Sequence, residues 1–483
     1  MLGAVSNPTL AGEYTETATR HLMQSVQMQR DGSHLARLSS LRLLQDPEMK
    51  DMFYRLLQHD DWHVQVHALL GLAEIDGSGQ LDPWLVTQVA PLAREQVIAH
   101  AIDMGMLDTS GMQKILEWDR LEAANQLLLM AELQAAGETG MVDVDRLTTL
   151  ANDNDLIVSA IAALLLAERD ASPLSAVDAR LATASPSERL SVLRRMIEII
   201  RIYELDAATP WLARMLENES SEDLTYWGTY TLMTIDPDRA RPHWNRMLGS
   251  NPSYRNRIMG ALQFLESGLA PDADVRTRLD AEDDPLIAKI LDTAELHADG
   301  QPITAQVKGL IDTGHPRVID WAMRTARDLP LDQAVSIYGY FIDLPENTRR
   351  RSQQITQRSH AISAMATLLE IAPEEAIDRL RAADDDSMQQ QTLLMGSMQS
   401  QHPGVAEVVS QIRRIGSSRA DSLALLLLAR TNENLSPNDL QQLGRISAGG
   451  GQLTNTLQIQ AAWLYLKHTD GLQTAMVRLT PEG

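Results

Sequence analysis

The chain has 483 residues, 44% of them hydrophobic but only 4% aromatic, and its 42 basic residues against 65 acidic ones leave a formal charge of −23. That balance disfavours a nucleic acid held through its phosphates, and the absence of cysteine excludes disulfides, thiolate metal sites and cysteine nucleophiles. Burial must come from Leu, Ala, Ile, Val and Met, a mix that suits helix-on-helix packing better than sheet, so the expected fold class is all-α.

The opening MLGAVSNPTLAGEY lacks a basic region followed by a long apolar run, and no later segment holds eighteen uninterrupted apolar residues. The expected location is therefore cytoplasmic, or periplasmic or secreted if a signal peptide was removed before Met1. Residues 1–45 read as N-terminal capping helices. The first hairpin then follows as DPEMKDMFYRLL (46–57) and WHVQVHALLGLAEI (62–75). Between its halves, His59, His63 and His67 stand at four-residue steps beside Asp60 and Asp61. A turn at the aspartates separates His59 from the other two, and Val64 stands where a zinc peptidase carries glutamate. Ordinary histidines beside a packed helix are expected there, not a metal site. EIDGSGQLD (74–82) has part of a calcium-loop spacing, but Glu74 stands at its first position and Leu85 at its twelfth, where a bidentate glutamate belongs. An inter-helix turn is the simpler reading.

The same shape, a polar turn and then an apolar helix with small residues inside it, recurs along the chain. Second helices are expected to begin near Ser33, Trp62, Gln96, Leu121, Leu156, Ser187, Glu222, Tyr254, Pro285, Pro316, Arg350, Ser387, Ser418 and Thr454. Their spacing is mostly about 29–37 residues, the period of helical-hairpin arrays, with one short interval from 96 to 121. First helices are announced by Asp or Pro, as in DPWLVTQVAPLA, VDVDRLTTLA, PLSAVDARLA, PDADVRTRL, PEEAIDRLRA and SPNDLQQLGRI. Such residues suit a helix N-terminus, where a side-chain oxygen caps free N–H groups and proline loses no hydrogen bond. No hairpin of this size buries its apolar stripe alone, so each must stack on its neighbours.

With Asp61 in the turn and Val64, Ala68 and Leu72 along the second helix, the chain resembles HEAT-repeat proteins, in the wider group of HEAT and armadillo-like α-solenoids. Gln65 stands where that family carries arginine. The resemblance implies a right-handed α-solenoid of about 13–14 stacked antiparallel hairpins, its inner helices lining a concave surface. On this reading, HEAT-like repeats occupy 46–344 and 361–452, and 453–483 forms a C-terminal capping helix and tail. Between the repeat blocks lies PENTRRRSQQITQRSH (345–360), an arginine-rich insertion and candidate hinge.

Two groups stand out as binding candidates. Arg349, Arg350 and Arg351 form a basic cluster in an acidic chain, suited to an acidic peptide or phosphate or to a solvated linker. Tyr226, Trp227 and Tyr230 form the densest aromatic group, which anchors a partner if it faces the concave side and is otherwise core. No nucleophile elbow, dinucleotide-binding glycine pattern or paired carboxylates stand out. The expectation is therefore no catalytic residue, no metal and no cofactor, and a scaffold or adaptor that binds a protein or extended peptide. The overall charge favours a basic partner. The alternative is a HEAT-like enzyme or small-ligand binder, because bilin lyases and alkylpurine DNA glycosylases share the implied architecture.

Overall fold

The computed structural model describes residues 8–27, 32–76, 79–169, 173–250, 253–269, 272–273, 276–277, 284–347, 351–385, 387–400, 402–413, 418–431, 435–450, 453–469 and 471–478. Among these residues there are 28 α-helices and no strand. Backbone contacts divide the chain into unit 1, residues 1–107 with 330–483, and unit 2, residues 108–329.

Unit 1 begins with α1 (Pro8–Val26), α2 (Ser33–Arg42), α3 (Lys50–Leu56), α4 (Trp62–Ile75), α5 (Pro83–Val86) and α6 (Pro91–Asp103). Unit 2 holds α7 (Thr109–Leu116), α8 (Ala123–Ala135), α9 (Val144–Ala151), α10 (Leu156–Ala167), α11 (Pro173–Leu181), α12 (Pro186–Ile202) and α13 (Thr209–Glu217). It continues with α14 (Glu222–Ile235), α15 (Pro237–Ser250), α16 (Tyr254–Ser267), α17 (Pro285–Ala298), α18 (Thr304–Ile311) and α19 (Pro316–Thr325). Unit 1 resumes with α20 (Leu331–Asn347), α21 (Arg351–Ile371), α22 (Pro373–Ala382), α23 (Met388–Ser397) and α24 (Pro403–Ile412). Its last helices are α25 (Arg419–Thr431), α26 (Pro437–Ser447), α27 (Asn455–His468) and α28 (Leu472–Arg478).

The turn residues start these helices by a local mechanism. Asp61, Asp155 and Asp284 each accept a hydrogen bond from a backbone N–H in the first turn of α4, α10 and α17, and Ser221, Ser253 and Ser387 do the same for α14, α16 and α23. Ser436 and Asp439 form a reciprocal capping box at α26. The expected start near Gln96 falls instead at Pro91, the first residue of α6, because proline's fixed φ suits the opening turn. With that correction the short interval disappears: α6 and α8 begin 32 residues apart, at Pro91 and Ala123. PDADVRTRL lies largely outside the described residues.

Within unit 2, successive second helices lie side by side, α8 on α10, α10 on α12, α12 on α14 and α14 on α16, while α7, α9 and α13 pair with their own second helices. Within unit 1 the series runs α21, α23, α25, α27, α2, α4 and α6. It therefore passes from the last hairpin to the first: α26 and α27 pack against α1 and α2 as one repeat packs on the next. The segments expected to cap separate ends thus cover each other. Ser40 Oγ donates to the Thr456 carbonyl at 2.6 Å, and Gln460 Nε2 to the Ser40 carbonyl at 2.8 Å. Asp46 Oδ2 accepts from Trp463 Nε1 at 3.0 Å and Lys467 Nζ at 2.8 Å. The physical reason is burial: Leu38, Leu41 and Trp463 are fully buried, and an apolar stripe facing water would forfeit roughly 25 cal/mol per Å².

The 345–360 segment sits inside unit 1 and is mostly helical. Its last ten residues form the first turns of α21, which packs along α20 as a hairpin longer than its neighbours.

Candidate functional site: the aromatic face of helix α14

Helix α14 begins with its Ser221 cap and with Glu222 and Asp223 in the first turn, where negative charge suits the helix dipole. Gly228 lets α13 approach, since a Cβ there would lie 2.7 Å from a Leu216 methyl. Helical spacing then sorts the aromatic trio. Tyr226 turns inward and is 7% exposed, Trp227 is 42% exposed, and Tyr230 is half-buried between them. Asp223, Trp227, Tyr230 and Thr234 share one face at steps of three and four. The Trp227 ring stands edge-on to both tyrosines, with centroids 5.0 Å from Tyr226 and 5.7 Å from Tyr230. Such edge-to-face pairs fix ring orientation as well as burying area.

Polar groups from three other helices of unit 2 surround the rings. The Tyr230 hydroxyl donates to Glu266 Oε1 of α16 at 3.3 Å, and the charge of Arg324 of α19 acts on it. Burial raises the Tyr230 pKa, and the Glu266 charge adds to that, while Arg324 and Arg201 of α12 oppose it. Burial likewise raises the Glu266 carboxyl, with Arg324 and the Tyr230 hydrogen bond pulling the other way. Tyr226, the most buried, has its hydroxyl pushed far above the usual range by burial, with Tyr230 and Glu266 adding and Arg317 and Arg324 opposing. The arrangement presents an exposed indole beside a half-buried phenol, flanked by arginines. It has an apolar contact surface and cationic donors.

The arginine cluster is not built the same way. Arg349 and Arg350 lie outside the described residues, as does the side chain of Arg351, which opens α21. Arg358, two turns later on the same helix, is half-buried and donates to Gln391 Oε1 at 3.4 Å. Burial and the nearby Arg419 lower its pKa.

The histidines of the opening run bond to Asp61 and Arg42 rather than to a shared point. His59 Nδ1 accepts from the Asp61 N–H at 3.0 Å, and His63 Nδ1 meets Asp61 Oδ1 at 2.8 Å. His34 Nε2, 27 positions earlier in the chain, also reaches Asp61 Oδ2, at 3.1 Å. His67 Nδ1 instead faces Arg42 Nη1 at 3.2 Å. The calcium-like run is also dispersed: Asp76 pairs with Lys50 at 2.6 Å, Glu74 with Arg42 through Nε at 3.0 Å, and Asp82 caps Trp84 at 2.9 Å. Ser78 lies outside the described residues.

Sequence reasoning missed two features. The first is the set of arginines around the rings, Arg201, Arg317 and Arg324, which lie 26, 90 and 97 positions from Trp227. The second is a cavity of about 350 Å³ in unit 1, bordered by residues 44–47, α24, α25 and α27. Its one signal in the sequence is Arg430 closing the apolar run LALLLLAR.

Among the described residues no helix is long and apolar enough to cross a membrane. No family model, curated protein or solved structure matches the chain.

Proposed function

We propose that this chain is a non-enzymatic scaffold of HEAT-like α-solenoid type that binds a protein or extended peptide along the face lined by its second helices. The observation that carries the reading is Trp227: a large indole left 42% exposed, held edge-on by two tyrosines, on a helix packed against α12 and α16. Rigid aromatic side chains offer contact area at low entropic cost and dominate binding hot spots.

The charge of the whole chain favours basic partners in the approach. Around the rings the balance is different, because Arg201, Arg317 and Arg324 all lie near the tyrosine hydroxyls. A segment with an apolar anchor flanked by Asp or Glu fits that local arrangement best.

A peptide-display selection on the purified chain tests this. Selected peptides are expected to combine an apolar anchor with acidic residues, and to lose affinity roughly 30-fold for Trp227→Ala, the scale of a hot-spot truncation. Peptides that bind Trp227→Ala as tightly as the unchanged chain would place the binding face elsewhere.

A further inference from the structure

The cavity in unit 1 has the chemistry of a site. Its walls join the segment Leu44–Pro47 to helices from the far end of the sequence. Three charged side chains line it: Asp46, Arg430 and Lys467. Asp46 is fully engaged, its Oδ1 accepting from the Glu48 N–H at 3.0 Å and its Oδ2 from Trp463 and Lys467. Lys467 is in turn held by Asp46 at 2.8 Å and Glu48 at 3.6 Å.

Arg430 is different. Its Nη1 donates to the Met398 carbonyl and its Nη2 to the Leu43 carbonyl, both at 2.8 Å. Among the described residues no carboxylate pairs with it. Burial lowers its pKa with no opposing charge. A guanidinium partly withdrawn from water without a counterion carries a desolvation cost, and an anion brought to it recovers that cost with charge-assisted hydrogen bonds. Other polar groups stand on the same wall. His402 Nδ1 accepts from the Gly404 N–H at 3.2 Å, which assigns the ring proton to Nε2 as a donor, and the Ser400 and Thr431 hydroxyls border the same space. The rest of the lining is apolar, including Val405, Leu427 and Leu464. At the rim Gln45 holds φ at 47°, a left-handed conformation uncommon outside glycine. Such strain concentrates at ligand clamps.

We infer that this cavity binds a small organic monoanion, with its carboxylate on Arg430 and its apolar body against Val405, Leu427 and Leu464. The volume lies in the lower range of small-molecule sites. One uncompensated cation matches one negative charge. Because the walls come from both sides of the junction between the first and last hairpins, an occupant also tightens that junction. The site lies in unit 1 and is independent of the α14 face.

The test is titration calorimetry, with thermal melting alongside, using straight-chain carboxylates from acetate to octanoate and the corresponding primary alcohols as probes. One-site saturable binding is expected for acids of intermediate length, with a rise in melting temperature and no binding of the alcohols. Arg430→Gln removes the charge and should weaken binding at least about tenfold, the scale of a hydrogen bond to a charged group. Ala406→Phe fills the cavity from its other wall without touching Arg430, and should abolish binding even if Arg430→Gln fails to fold. Absence of saturable binding by every acid, equal binding of alcohols, or retained affinity in either folded variant would overturn the inference.

Discussion

His67 shows how a single residue acquires a measurable role without any catalytic one. It sits on α4 against Arg42, which donates to its Nδ1 at 3.2 Å, so the imidazole must stay neutral to accept. Burial first, then the Arg42 charge, lowers its pKa from 6.5 to about 4. The unfolded chain therefore takes up the proton before the folded one does. Stability from this residue is complete above about 6.5 and is lost as the pH falls toward about 4. Between pH 7 and pH 5 the loss amounts to about 2 kcal/mol. His67→Gln keeps an acceptor for Arg42 but does not titrate, so urea midpoints measured across that interval should fall less steeply by this amount. An unchanged slope would mean that His67 is solvated. Asp61 behaves in the opposite sense: hydrogen bonds from His63 and His34 outweigh burial and hold its carboxyl below the usual value, so its contribution fades only in stronger acid.

Helix pairing depends on small residues at points of contact, and here the sequence was most informative. Ala68 is fully buried. A Cβ on Gly71 would lie 2.6 Å from the Phe53 ring of α3, and Phe53 is itself fully buried. Gly71→Ala should destabilise unit 1 by roughly 1–3 kcal/mol through overpacking, although alanine is the better helix former by about 1 kcal/mol. A denaturant midpoint that stays level or rises would show that the ring yields. The start of α4 was legible because Asp61 caps it, and those of α10, α14 and α16 because Asp155, Ser221 and Ser253 do the same. The start of α6 was misplaced because Ala90 gives no side-chain cap and the signal rests on Pro91 alone. The aromatic trio was visible as a run of letters, but helical spacing sends Tyr226 inward and Trp227 outward. Which face of α14 meets solvent is decided by its neighbours, since its four threonines are spread around the helix and leave a weak directional pattern. The arginines around the rings were hidden for the same reason. They converge only after α12, α14, α16 and α19 pack.

At the scale of the molecule, the consequential relation is the one between the first and last hairpins of unit 1. Periodicity states that repeats exist and how long they are, but it does not say which repeat follows the last. Stacking satisfies that demand by placing α1 and α2 beside α26 and α27, and the cavity exists only because those segments meet. The same contact sets a prediction for stability. Asp46 accepts from Trp463 and Lys467 within the junction, so Asp46→Ala leaves the buried indole N–H without its acceptor and should lower stability by about 1–3 kcal/mol, the cost of an unsatisfied buried donor. A melting temperature equal to that of the unchanged chain would show that the junction contributes little to unit 1.

The most direct measurement uses the absence of cysteine. Glu16 and Arg478 form an exposed ion pair at 2.9 Å across the junction, on α1 and α28. Glu16→Cys with Arg478→Cys introduces the only two thiols, which a short bifunctional maleimide can bridge under dilute conditions. A high yield of monomer cross-linked between residues 16 and 478, identified by peptide mass spectrometry and lost in urea, is the expected result. Cross-links only between separate molecules, or none while each thiol still reacts singly, would contradict the junction and with it the cavity.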